Sequence, residues 1–323
     1  MSEPDTVPVL PATDRSEARA SREIMIGYAF AAAGAVLFSS KGIVIKLAYA
    51  EGINAETLLA LRMLFALPVY FLIGGLSVRD RWMRGESLPA APLILKATLI
   101  GALGYWFAAY MDFLSLELIS AQFERLILFT YPLFTVIFGA LFFRQPVQGR
   151  VLIAFGFSYV GLAVIFTAKV ATMGNDVVVG ALFVVTAAAS FALYQLFAKT
   201  AIAQIGPRLF TCIAMTGAGA VALAQFALTQ PIGSLNVSWL MIGYGLLLGI
   251  GATVIPSFFL NAALHRISAQ ANATIGTLSP VITIILAVII LGEVLTTRDM
   301  IGTALVLGGV GWFTLGGRKQ PKP

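Results

Sequence analysis

Charge is scarce in this chain of 323 residues: Asp, Glu, Lys and Arg make up 11% of it, against about a quarter in a soluble globular domain. With 59% hydrophobic residues and a mean hydropathy of +0.91, a water-soluble fold is excluded. The single cysteine, Cys212, leaves no intrachain disulfide and no cysteine metal cluster. The single histidine, His265, offers no histidine metal site, and without a serine in an elbow turn it offers no nucleophilic triad. No glycine-rich phosphate loop with its lysine is present, so the sequence carries no ATP engine. Neither a metal nor a cofactor is expected.

Long apolar runs fill the space that charge vacates. A bilayer core of about 30 Å needs roughly 20 apolar residues per helix, and continuous runs of that kind are unlike the short alternating segments of a barrel. Ten spans are predicted at about 24–49, 56–76, 93–114, 119–142, 148–168, 178–203, 208–229, 238–260, 268–291 and 298–316. The chain therefore reads as an all-α polytopic membrane protein with lipid as its surroundings. Its net charge of +6 is not a nucleic-acid signal. Arg15, Arg19, Arg22, Arg79, Arg81, Arg84, Lys96, Arg144, Arg150, Lys199, Arg208 and Arg266 fall towards one side of the membrane, with Arg318, Lys319 and Lys322. That bias places both termini in the cytosol.

The chain repeats itself. Ile119 to Arg150 recurs without a gap at Ile267 to Arg298, an offset of 148, with Ile119/Ile267, Ser120/Ser268, Ala121/Ala269, Gln122/Gln270, Pro132/Pro280 and Arg150/Arg298 in register. Gly27 and Lys46 recur as Gly180 and Lys199 at an offset of 153. Two five-span units follow, 23–169 and 170–317, flanked by a disordered tail at 1–22 that lacks the features of a signal peptide and a basic tail at 318–323. An odd number of spans per unit turns the second copy upside down. Inverted repeats with a site between them are the build of many secondary transporters.

Ionisable residues inside a membrane are costly and so point to function. Lys41, Lys46, Arg62, Glu124 and Arg125 share the outer half of the first unit, with Glu124 read as the only acid well inside a span. Lys46 fits snorkelling at its helix end, and for Arg62 pairing with Glu124 or a helix-end carbonyl stands beside a substrate role. If transport is proton-coupled, Glu124 is the carrier. Glu293 is expected to meet Arg298. Trp106 and Tyr110 share a helix face at a depth that suits a cavity wall, with packing as the alternative; Gln122, Gln270 and Asn272 supply polar contacts. Pro132 and Pro280 lie at equivalent depth in the two copies, as packing kinks or as hinges.

Ser39-Ser40-Lys41 through Lys46, Gly52 and Leu61-Arg62, with Pro280, Leu291-Gly292-Glu293, Gly302 and Gly309 at the other end, resemble the EamA-type carriers of the drug/metabolite transporter superfamily. The first unit departs from that pattern in carrying Arg144-Gln145 where the second has Gly292-Glu293. The resemblance implies ten spans in two units, a central cavity, alternating access and export of small metabolites across the bacterial inner membrane. Within the superfamily the pattern is most similar to the YddG type, exporters of aromatic amino acids and related solutes. A sugar-phosphate or nucleotide-sugar exchanger is the rival within transport; an enzyme acting on lipid-linked substrate and a non-transporting receptor are the rivals outside it. The sequence leaves the oligomeric state open, a monomer included.

Overall fold

The computed structural model describes residues 12–145, 149–276 and 278–316. Among these residues all regular structure is helical. In hydrocarbon that is what satisfies backbone polar groups within each segment. In the first copy α1 (Ala12–Ser39) gives way to α2 (Lys41–Ala50) at Ser40. The Asn54 side chain then caps α3 (Ala55–Met83) by accepting from the Thr57 N–H. α4 (Ala91–Gly101) runs through a π-helical stretch, Ala102–Phe107, into α5 (Ala108–Leu118). Ser120 caps α6 (Ala121–Leu128), and after a break come α7 (Tyr131–Phe143) and α8 (Gly149–Met173). The second copy follows the same plan with α9 (Asp176–Ile205) and α10 (Pro207–Thr229), then α11 (Trp239–Leu246), a π stretch Leu247–Val254 and α12 (Ile255–Arg266). α13 (Ala269–Ile275), α14 (Leu278–Leu291) and α15 (Thr297–Gly316) complete it.

Seven helical runs among the described residues are long and apolar enough to cross a membrane: Ser21–Ala50, Ala55–Met83, Ala91–Leu118, Ala121–Phe143, Asp176–Ile205, Pro207–Thr229 and Trp239–Arg266. Gly156–Val170 and Ser279–Leu291 are shorter apolar helices. Large apolar side chains such as Leu72, Leu141, Leu182 and Ile289 stand exposed around the bundle, as a lipid-facing surface requires. Two expectations change. The first helix begins at Ala12, so residues 12–22 are helical rather than disordered; Ala, Glu and Arg favour helix, and extending a helix is easier than starting one. Residues 1–11 and the expected basic tail with Arg318, Lys319 and Lys322 lie outside the described residues. Pro132 and Pro280 do not kink continuous helices; each sits in the first turn of a new helix, where the missing N–H has no partner to lose.

The two copies run in opposite directions, and four contacts show it. Lys46 Nζ donates to the Leu116 carbonyl, 2.9 Å away, so α2 and α5 end on one face of the bundle. A Cβ on Gly27 would lie 2.9 Å from Ile267 Cγ2, so α12 ends on the other face, where α1 starts. α5 and α12 are counterparts, and they are antiparallel. The second copy repeats both contacts with the faces exchanged: Lys199 Nζ donates to the carbonyls of Leu264 (2.9 Å) and Ile267 (2.6 Å), and a Cβ on Gly180 would lie 2.8 Å from Ile119 Cγ2. The first helix of each copy thus packs on the third of the other, and bare glycines permit the approach. Around this exchange α3 packs on α10 and α8 on α15, counterpart against counterpart.

The ends of α7 and α14 lock the copies together. Arg144 (φ 51°) and Gly292 (φ 65°) are left-handed, and the next N–H in each case reaches back: Gln145 to the Gly139 carbonyl at 3.1 Å, Glu293 to the Ala287 carbonyl at 3.2 Å. Both side chains then cross to the opposite copy. The Glu293 carboxylate accepts from the Ala121 N–H at 2.8 Å and the Gln122 N–H at 3.2 Å, at the start of α6. Its counterpart Gln145 accepts from the Gln270 side-chain amide beside α13. Glu293 is therefore not drawn to Arg298, because free amides at the positive end of a helix hold a carboxylate.

A left-handed arginine is strained where glycine is not. Arg144→Gly is expected to raise stability by about 1 kcal/mol, read as a higher thermal unfolding temperature in detergent. A lower temperature would show that the arginine side chain contributes more than its backbone loses.

Candidate functional site

Five interruptions of helical regularity converge on one cavity of about 120 Å³. Phe38 and Lys41 flank the Ser39–Ser40 break; Gly104 and Tyr105 lie in the first π stretch and Thr253 in the second. Leu128, Phe129 and Tyr131 line it from the α6–α7 break, and Asn272, Gly276 and Ser279 from the α13–α14 break. Side chains answer the backbone groups freed there, often from the other copy. The Ser39 hydroxyl is shared between the Ala35 carbonyl (2.7 Å) and the Ser279 hydroxyl (2.9 Å), and Thr283 donates to the Ser39 carbonyl at 2.9 Å. Tyr131 donates to the Ala273 carbonyl at 3.1 Å.

The first copy makes the charged wall. Lys41 Nζ lies 2.6 Å from Asp112 Oδ2, with both side chains largely out of solvent. Arg125, on the same wall, has its Nε 3.7 Å from Oε2 of Glu124 behind it, and its Nη2 donates to the Phe38 carbonyl at 3.4 Å. Arg62 is 3% exposed and lines the cavity, yet it enters no ion pair among the described residues. Its Nη2 donates to the Tyr105 carbonyl at 3.2 Å, its guanidinium lies 5.1 Å from the Phe113 ring centroid, and its Nε has no partner. A buried guanidinium without a carboxylate is costly. It is the place in this cavity where an anion would be most favoured.

The second copy makes a neutral wall. At the 148 offset Asp112, Glu124 and Arg125 become Leu260, Asn272 and Ala273, and at the 153 offset Lys41 becomes Tyr194. The Tyr194 ring lies against the bare backbone of Gly104, where a Cβ would come within 2.3 Å of it. The Tyr194 hydroxyl lies 3.2 Å from that of Tyr105 and donates to Asn261 Oδ1 at 2.6 Å; Asn261 Nδ2 donates to the Thr211 hydroxyl at 2.9 Å. Asn272 Nδ2 donates to Gln195 Oε1 at 2.8 Å. Phe191 stacks on Tyr194, with ring centroids 5.8 Å apart.

Of the residues singled out in the sequence, Lys41, Arg62, Arg125 and Asn272 line the cavity. Glu124 stands one layer behind, fully buried beside Arg125. Gln122 is at the Glu293 contact and Gln270 at the Gln145 contact, towards opposite faces of the bundle. Trp106 and Tyr110 are turned away: the Trp106 indole donates to Gln225 Oε1 at 2.6 Å and the Tyr110 hydroxyl to Glu56 Oε1 at 2.8 Å. The wall belongs to the opposite face of that helix, to Tyr105, Ala108, Ala109 and Asp112. Asp112, 1% exposed, overturns the reading of Glu124 as the only interior acid. The signal for it was a face of small residues with Tyr105 and Asp112 seven apart, two helical turns. No cluster of three or more His, Cys, Asp or Glu suited to a metal occurs among the described residues.

Comparison with known proteins agrees with this architecture. The profile of the EamA-like transporter family matches twice, at residues 25–167 and 178–315. The uncharacterized transporter YcbK of Bacillus subtilis is 30% identical over 93% of this chain and 95% of its own length. The threonine/homoserine exporter RhtA of Escherichia coli is 26% identical over 76% of this chain and 77% of its own. A solved crystal structure superposes with a TM-score of 0.61 over 93% of this chain and 99% of that one at 19% identity, which speaks to the fold alone.

Removing one member of a buried ion pair strands the other, whereas replacing both by apolar groups is often neutral. Asp112→Leu is therefore expected to lower stability in detergent by about 3 kcal/mol, and Lys41→Met with Asp112→Leu to recover most of it. Additive losses in the double variant would show that the two residues do not act as a pair.

Proposed function

Because the chain belongs to the EamA-like transporter family, we propose that it exports neutral amino acids and related small metabolites from the bacterial cytoplasm by alternating access through the cavity between its two copies. The reading includes ten crossings of the inner membrane with both termini inside. Arg79, Arg81, Arg84, Arg208 and Arg266 support that orientation, since the contacts of Arg208 with Asp80 (3.0 Å), of Arg81 with the Ile205 carbonyl and of Arg266 with Glu23 (2.8 Å) gather them at one end of the bundle.

The observation that carries the substrate class is Arg62. It is the cavity cation with no carboxylate of its own, and a solute carboxylate supplies one. The rest of the wall is small and apolar or aromatic: Ala31, Gly34, Ala35, Ala108, Ala109 and Ala187, with Phe38, Phe129 and Phe191. The Thr253 hydroxyl, buried on the same wall and unpartnered, offers a further polar contact. A volume of 120 Å³ is below the roughly 300–1,000 Å³ of sites for drug-sized ligands, which favours a solute of few heavy atoms. Lys41 and Arg125 are already answered by Asp112 and Glu124, so the dense cationic set that a phosphate ester demands is not assembled. The name of RhtA, a threonine/homoserine exporter, points the same way.

Counterflow of labelled amino acids into proteoliposomes tests this. Threonine and other small neutral amino acids are expected to exchange, and Arg62→Gln to slow that exchange by about tenfold or more through loss of a charge-assisted contact, with Arg62→Lys in between. Exchange of sugar phosphates without amino acids would overturn the proposal.

A further inference from the structure

The two π stretches carry equivalent residues on the cavity wall: Tyr105 in the first copy becomes Thr253 in the second at the 148 offset. In the first copy the hydroxyl there lies 3.2 Å from that of Tyr194, and the two rings pack edge to face with centroids 4.8 Å apart. The counterpart of Tyr194 is Lys41, which is held 2.6 Å from Asp112. The shorter Thr253 side chain therefore meets no such neighbour, and its hydroxyl is buried without a hydrogen-bond partner among the described residues. Thr135 and Thr211, also buried in helices, donate one turn back to the carbonyls of Tyr131 (3.0 Å) and Pro207 (2.7 Å). In the second π stretch the ladder is shifted, the Ile250 carbonyl accepting from the Ile255 N–H five residues on, and Thr253 makes no such bond. Tyr105, Tyr131, Asn272 and Ser279, the other uncharged polar side chains on the wall, are each engaged, with Tyr194, Ala273, Gln195 and Ser39.

The place of Thr253 on the wall is fixed by α3. A Cβ on Gly249 would lie 2.8 Å from the Arg62 carbonyl oxygen, and Thr253 stands one turn, roughly 5 Å, beyond Gly249 on the same side of its helix. A solute whose carboxylate takes Arg62 thus extends a short side chain towards Thr253, into the space that a tyrosine fills in the other copy. We propose that Thr253 is the specificity-determining residue of the cavity: its hydroxyl bonds a side-chain hydroxyl of the solute, so that small hydroxylated amino acids are preferred to apolar ones of the same shape. This rests on the exporter reading above and adds to it the choice among neutral amino acids. A hydroxyl waiting in a buried wall costs free energy until a solute supplies its partner. A site of that kind rejects the analogue that leaves it unpaired, whereas an apolar pocket discriminates weakly between the two.

Counterflow of labelled threonine and of labelled valine, which share one shape, by full-length protein in proteoliposomes tests this. Wild type is expected to exchange threonine about tenfold faster than valine at subsaturating concentration, and Thr253→Val to bring that ratio to about one. Thr253→Ser, which keeps the hydroxyl, is expected to give a ratio well above that of Thr253→Val. Equal exchange of the two solutes by wild type overturns the proposal and leaves the exporter reading standing. So does a Thr253→Val variant that slows both solutes by the same factor, since that assigns the hydroxyl to the groups all amino acids share, and so does one that leaves the ratio in place. Absence of exchange for every neutral amino acid in wild type removes the exporter reading and the selectivity with it. Where Thr253→Val fails to fold, Thr253→Ala takes its place with the same expected ratio and the same contrary results.

Discussion

Hydrocarbon offers no hydrogen bonds, so a membrane-spanning backbone can leave the helix only where something else answers its polar groups. That constraint organises this molecule. The break at Ser39–Ser40, the two π stretches and the breaks before α7 and α14 all face one cavity, and hydroxyls of Ser39, Thr283 and Tyr131 answer the backbone there. The cavity exists because the helices are interrupted around it. The interruptions are tolerable because the copies run antiparallel and each brings side chains to the other's breaks. Close approach at Gly27 and Gly180 holds the first helix of each copy against the third of its partner, which keeps the breaks in register.

Duplication supplies the frame, and divergence supplies the chemistry. Positions that are Lys41, Asp112, Glu124 and Arg125 in the first copy are Tyr194, Leu260, Asn272 and Ala273 in the second. A symmetric charged cavity would have placed twice the ions in a low-dielectric interior, each with several kcal/mol of desolvation to offset. Here one charged wall faces one neutral wall instead. The same divergence appears at the end clamps: a carboxylate on helix amides at Glu293, and a neutral amide contact at Gln145. The contacts that join the copies at the two ends of the bundle therefore differ in charge.

Much of this was legible in the residues. Ser-Ala-Gln at 120–122 and 268–270, with a proline twelve positions after each serine, marked the duplication, and the paired Gly27 and Gly180 turned out to be where the copies touch. Lys41 and Arg62 stood out because charge in an apolar run is rare. Asp112 did not, because it lies near the end of its span, where an acid needs no explanation until the fold shows Lys41 beside it. Trp106 and Tyr110 drew attention by size and spacing, but spacing fixes only which residues share a face, and the face that meets the cavity was decided by the packing of α9 against Gly104. Partners in distant sequence, such as Gln225 for Trp106 and Glu56 for Tyr110, leave no local signal.

The central claim is that the cavity where the interruptions meet is the path of the solute. In a Cys212→Ser background, a cysteine at Ala108 on the cavity wall and one at Ile289 on the lipid-facing surface can be exposed to a membrane-impermeant thiol reagent from each side of sealed vesicles. Ala108→Cys is expected to react from both sides, threonine to slow both reactions, and Ile289→Cys to react from neither. Reaction of Ala108→Cys from one side alone, or from neither, would contradict it.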